Sequence, residues 1–202
     1  MAFHQSVEII RAKAKTRPKI GIAMAASAFI PKNESNEETA LARQKSFYYK
    51  SGVMRNRWWS DPLILGKTVR AYGIYSLRKT DIQHIQTKLD FIGLNVYSPF
   101  GENWNGTNED VPSEKKNSLG WVNDGRCLYW TIRFFHERYA LPIMVTENGL
   151  CDDDLTVTDD RIPDEKRVNY ISEYLGNVKR AADEGIPVLG YQYWSLMDNL
   201  EW

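Results

Sequence analysis

Three short stretches put polar and aromatic side chains directly behind apolar runs. Asn95-Val96-Tyr97 closes the run that begins at Asp90. Thr146-Glu147-Asn148-Gly149 closes the run from Pro142. Trp194 closes the run from Val188 and leads into Asp198-Asn199-Leu200-Glu201-Trp202. Together they offer carboxylates, a phenol, amides and indole faces, which is a set suited to gripping a polar organic ligand. A carboxylate at a buried strand end is costly unless it is hydrogen-bonded or paired, so Glu147 needs a reason to be there. Each stretch also has a plainer reading. Asn148-Gly149 can be a simple turn with Glu147 exposed beside it. Asn95 can cap a loop. Tyr97, Trp194 and Trp202 can be core packing.

The elements that would position these groups alternate. Phe3, Val7, Ile10 and Ala14 recur at helical spacing up to the breaker Pro18, and the apolar run from Lys19 to Ala26 reads as a strand. Ser35-x-x-Glu38 is a capping-box pattern, and a helix follows it to about Tyr49, closed by Gly52. Arg57 to Thr80 reads as a long loop with short helical turns. Asp90–Asn95 is a second strand, residues 99–120 a long loop, Asp124–Tyr139 a helix and Pro142–Thr146 a third strand. After an acidic loop, Asp164–Glu184 is an amphipathic helix with Val168, Ile171, Leu175, Val178 and Ala182 on one face, ended by Gly185 and Pro187. Val188–Trp194 is a fourth strand. Short, continuously apolar strands alternating with helices predict an α/β fold with a parallel sheet buried on both faces. Either an open doubly wound sheet or part of an eight-stranded barrel would satisfy the pattern. In both, ligands bind outside the carboxyl ends of the strands, where the three polar stretches fall.

Composition narrows the classes. The chain has 202 residues, 43% hydrophobic and 12% aromatic, which is enough for one domain with a sizeable core. Lys plus Arg equals Asp plus Glu at 26 each, a balance that argues against a nucleic-acid or membrane-surface partner. Cys127 and Cys151 are too few for a disulfide framework. The apolar run Ile20–Ile30, eleven residues, is too short to span a bilayer. No signal peptide is visible, so a cytoplasmic location is the expectation. His4, His84 and His136 lack metal-ligand spacing, and Asp152-Asp153-Asp154 lacks the spacing of a calcium loop, so no metal or cofactor is expected.

The motifs resemble those of glycoside hydrolase family 1, the β-glucosidase-type enzymes. Lys19–Ile22 resembles the family's fifth strand and Asp90–Tyr97 its sixth. Pro142–Gly149 resembles the nucleophile motif, and Gly190–Trp202 the eighth strand with its sugar-binding run. The resemblance spans nearly the whole chain and implies a partial (β/α)8 barrel, strands 5 to 8 with their helices, in a single partial catalytic domain over residues 1–202.

It further implies that Glu147 is the catalytic nucleophile, that Tyr97 hydrogen-bonds it, that Asn95 lies near the reacting sugar, and that Trp194, Glu201 and Trp202 hold the non-reducing sugar. The implied activity is retaining hydrolysis of β-glycosides without a phosphate on the sugar. The family's acid/base sits in an Asn-Glu-Pro motif after strand 4. Here Asn33-Glu34, Asn36-Glu37 and Asn108-Glu109 each lack the proline. The sequence therefore reads as truncated at both ends, weakly active or inactive alone, with a complementary half-barrel or a second copy as partner. The alternative is a non-catalytic carbohydrate-binding or interaction protein derived from such an enzyme.

Overall fold

The structure is a computed structural model, and it describes residues 1–47, 56–68, 78–100, 116–152 and 164–197. Its centre is a sheet of four parallel strands in the order β1 (Gly21–Ala25), β2 (Phe91–Asn95), β3 (Ile143–Asn148) and β4 (Val188–Tyr193). Helix α1 (Ala2–Lys13) precedes β1, and α2 (Asn36–Phe47), α3 (Asn56–Ser60), α4 (Lys79–Gln83), α5 (Arg126–Tyr139) and α6 (Glu165–Asp183) lie between the strands in sequence. Each described strand therefore returns through a crossover, so all four carboxyl ends fall on one edge. A π-helical turn, Asp61–Leu65, continues α3.

One side of the sheet is a closed core. Ile92, Leu94, Val96, Ile143 and Val145 are fully buried there against α5 and α6. Helix α5 supplies Leu128, Ile132, Phe134 and Phe135, and it is enclosed almost all round because α6 flanks it. The predicted face Leu128, Thr131, Phe135 and Tyr139 is buried. Two predicted helix faces need correction. On α6 the inward residues are Tyr170, Tyr174 and Ala181, flanked by Ile171 and Val178, whereas Val168 and Leu175 are exposed. The two tyrosines win the inward positions because they bury large rings and also deliver hydroxyls to the strand ends. On α1, Val7 is buried, but Ile10 is exposed together with Ile9.

The other side of the sheet is open, which corrects the expectation of burial on both faces. Ala23 and Ala25 of β1 and Gln192 of β4 are exposed, and Leu189 is 57% exposed. Strands β1 and β4 pair on one side only among the described residues.

Local signals behave as the sequence implies. Ser35 Oγ accepts from the Glu38 amide at 3.3 Å and starts α2. Asp90 anchors the start of β2: its carboxylate accepts from the Ile20 amide at 2.9 Å and from Arg11 at 3.3 Å. These bonds hold its pKa below the usual 3.8, the Ile20 amide contributing most. His4 meets Thr87 at 3.2 Å, and His136 meets the Leu141 carbonyl at 2.9 Å. Cys127 is buried, and burial pushes its thiol well up. Cys151 is exposed, with Ser118 at 3.2 Å. Asp152 pairs with Lys166 at 3.0 Å, while Asp153, Asp154 and most of the acidic loop lie outside the described residues, as does 101–115 of the long loop. Among the described residues no helix is long and apolar enough to cross a membrane.

Candidate active site

The parallel register brings the polar stretches together. Asn95 lies opposite Glu147 across the β2–β3 ladder, and Asn148 lies opposite Tyr193 across β3–β4. Strand β3 carries one extra residue between Val145 and Asn148 relative to both neighbours. That β-bulge changes which side chains face the open side. Thr146 and Glu147 both reach residues of the open face, and Asn148 turns to the core side.

The Tyr97 hydroxyl donates to Glu147 Oε2 at 2.8 Å. Both residues are half-buried, so the carboxylate has a fixed donor and still opens to ligand. The Tyr97 ring packs at 5.9 Å, centroid to centroid, on Trp121. Thr146 Oγ1 donates to Asn95 Oδ1 at 2.6 Å, which leaves the Asn95 amide nitrogen as the group able to donate elsewhere. Gly93 makes room for this: a Cβ there would stand 2.8 Å from the Thr146 methyl.

Behind the sheet, Asn148 is fully buried, and its amide nitrogen and oxygen both have partners. Its amide nitrogen donates to the Val96 carbonyl at 2.6 Å and to the Tyr170 hydroxyl at 2.8 Å, and its oxygen accepts from the Tyr191 hydroxyl at 2.7 Å. This removes the simple-turn reading of Asn148-Gly149. Trp194 is 42% exposed, so the core-packing reading does not hold for it. Its amide donates to the Asn148 carbonyl at 2.9 Å, which ties the end of β4 to the carboxylate-bearing strand. Gly149 permits the approach, since a Cβ there would lie 1.8 Å from the Trp194 carbonyl oxygen.

Of the six residues singled out from sequence, Asn95, Tyr97, Glu147 and Trp194 therefore share one edge of the sheet. Glu201 and Trp202 lie outside the described residues. The sequence reading places Thr146 in a polar stretch without a role of its own and misses Trp121, Tyr170 and Tyr174. The one available signal was the i, i+4 tyrosine pair on α6, whose rings stack at 3.9 Å. No described group of three or more His, Cys, Asp or Glu could hold a metal ion. A cavity of about 600 Å³ among Arg43, Phe47, Arg57, Lys67, Glu137 and Arg138 does not include Glu147. The carboxylate lies on an open face instead.

Known proteins share this sequence pattern and fold. The family model for glycosyl hydrolase family 1 matches residues 1–202. β-Glucosidase A of Thermotoga maritima is 30% identical over all of this chain, which covers 46% of that enzyme. β-Glucosidase A of Acetivibrio thermocellus is also 30% identical, with 91% of this chain and 44% of that enzyme aligned. The solved structure of the family 1 β-glucosidase from Thermotoga maritima superposes with a TM-score of 0.77 at 29% identity, covering 100% of this chain and 46% of that one. The same enzyme in complex with noeuromycin superposes with a TM-score of 0.78. The chain thus spans about half the length of the curated relatives it matches, and its sheet corresponds to part of the family's barrel, strands 5 to 8. A match over every residue, joined to a shared fold, leaves one assignment: the chain belongs to glycosyl hydrolase family 1.

Proposed function

We propose that this chain carries the nucleophile side of a retaining β-glycosidase acting on non-phosphorylated β-glycosides. The observation that carries the reading is the Tyr97–Glu147 hydrogen bond of 2.8 Å at the carboxyl edge of the sheet. A phenol donating to a carboxylate favours its charged, attacking form. Glu147 attacks the anomeric carbon and forms a glycosyl ester while the aglycone oxygen leaves. Water then cleaves the ester, with a second carboxyl group acting first as acid and then as base, the two carboxyls about 5–5.5 Å apart. Asn95, its oxygen occupied by Thr146, donates from its amide to the bound sugar. Trp194 and Trp202 stack on the apolar face of the pyranose, and Glu201 accepts from its hydroxyls. A phosphate on that sugar would meet Glu201 as a like charge, a penalty of roughly several kcal/mol.

Of the motif candidates for the second carboxyl group, Glu34 is held by both Arg180 Nη atoms at 2.8 Å, and Glu109 lies outside the described residues. On this reading a complementary half-barrel, or a second copy of the chain, supplies that group across the open face. Without it, the lost proton transfer alone slows cleavage of alkyl glycosides by about 10²–10⁴.

The test is labelling with 2,4-dinitrophenyl 2-deoxy-2-fluoro-β-glucoside, whose leaving group needs no acid, on the chain combined with the first half of a β-glucosidase relative. The expected adduct is one fluoroglucosyl group on the peptide containing Glu147, absent in Glu147→Gln. Label elsewhere, or none, sinks the reading. The 42% exposure of Trp194 favours a second reading, a carbohydrate-binding protein. That reading predicts sugar binding that survives Glu147→Gln and is lost in Trp194→Ala.

A further inference from the structure

The Tyr97–Glu147 pair joins two different strands, so its length depends on whatever fixes the spacing of β2 and β3 at their ends. The backbone supplies one link, from the Val96 amide to the Glu147 carbonyl at 3.0 Å. A second link, from the Thr146 hydroxyl to Asn95 Oδ1 at 2.6 Å, lies on the open face, and further links come from behind the sheet. Asn148, next to Glu147, donates at 2.6 Å to the carbonyl of Val96, next to Tyr97. The second hydrogen of the Asn148 amide goes to the Tyr170 hydroxyl at 2.8 Å, and its oxygen accepts from the Tyr191 hydroxyl at 2.7 Å. The Tyr174 hydroxyl donates to the carbonyl of Tyr97 itself at 3.1 Å and accepts from the Asp124 amide at 3.1 Å. Tyr170 and Tyr174 stack on each other from adjacent turns of α6.

From this geometry we propose that Asn148, Tyr170 and Tyr174 are positioning residues that set the Tyr97–Glu147 hydrogen bond from the core side of the sheet. One helix thereby holds the Tyr97 main chain directly, through Tyr174, and the neighbour of Glu147 through the Asn148 side chain, while both tyrosines are buried on the core side. Burial pushes both phenols well above their usual range, so they stay neutral hydroxyls and the grip does not loosen near neutral pH. The inference deepens the proposed reading and rests on it for its catalytic meaning, though not for its geometry.

Tyr174→Phe removes one hydroxyl and keeps the stacked ring. The first measurement is the rate of fluoroglucosyl labelling in the complemented chain for wild type, Tyr174→Phe, Tyr97→Phe and the double variant. Loss of one hydrogen bond slows labelling by about tenfold. The expected result is that this slowing disappears when Tyr97 is already Phe, because the hydroxyl acts through Tyr97. Equal slowing in both backgrounds, or none in either, overturns the proposal. The second measurement needs no activity. In the full chain labelled at tyrosine Cζ with carbon-13, the Tyr97 resonance, assigned by Tyr97→Phe, moves in Glu147→Gln and also in Tyr174→Phe and Tyr170→Phe. A resonance that moves in Glu147→Gln but not in the two α6 variants overturns the positioning role. Movement in all three without any labelling keeps the positioning role and removes the glycosidase reading.

Discussion

On its helix-covered side the sheet packs Ile92, Leu94, Ile143 and Val145 at 0% exposure, while on its other side Ala23 and Ala25 face solvent and Leu189 is 57% exposed. The same strands supply both surfaces. The covered side is apolar except for Asn148, whose amide is fully bonded. The open side gathers Asn95, Tyr97, Glu147 and the Thr146 hydroxyl at its carboxyl edge. Stability and chemistry are thus divided by face, and they are joined by the one-residue bulge at the end of β3 and by the core-side hydrogen bonds of Asn148 and Tyr174. The bulge puts the neighbours Thr146 and Glu147 on the open side together and returns Asn148 to the core.

That division can be broken from either side, and the variants rank by size. Leu94→Ala on the covered side should cost about 2–5 kcal/mol, enough to remove the cooperative thermal transition followed by circular dichroism. Gly149→Ala attacks the seam between β3 and β4. Its Cβ would stand 1.8 Å from the Trp194 carbonyl oxygen, so main chain must move. A loss of about 1–3 kcal/mol is expected, together with weaker sugar binding by calorimetry. Asp90→Asn, at the start of β2, sharpens the comparison through pH. The folded carboxyl sits below its usual 3.8, so its contribution is complete above that value and is lost as pH falls through the lower folded value. Urea melts should show wild type losing stability on acidification below about pH 4, and Asp90→Asn losing less over the same interval. A variant with the same acid dependence as wild type removes Asp90 from the account. Leu189→Ser, on the open side, should change stability by no more than about 0.5 kcal/mol. A larger loss in the chain alone would mean that this face is already covered, as by a second copy.

The strands were legible because each is an apolar run between breakers: β1, β2 and β4 fall inside the predicted runs, whereas β3 runs two residues past its predicted end at Thr146 and takes Glu147 and Asn148 into the strand. The edge that gathers Asn95, Tyr97, Glu147 and Trp194 was legible for a topological reason: crossovers align carboxyl ends, so polar residues after separate strands must meet. What failed was periodicity. On α6 a hydropathy reading favours Val168 and Leu175, yet the buried positions went to tyrosines that spend their hydroxyls on Asn148 and Tyr97. Strict alternation along β3 would put Thr146 and Glu147 on opposite faces. The bulge puts them on the same one, and nothing in Met144-Val145-Thr146-Glu147 announces it. The exposure of Ile9 and Ile10 likewise depends on what lies beside α1, which its own spacing does not record.

An ordinary strand presents a side chain to a given side only at every second position, which leaves nearly 7 Å of empty backbone between successive groups. By slipping one residue, β3 seats Thr146 and Glu147 side by side at the rim. The Glu147 carboxylate and the hydroxyl that aims the neighbouring amide then come from consecutive residues, with Asn148 directly after them turned to the core.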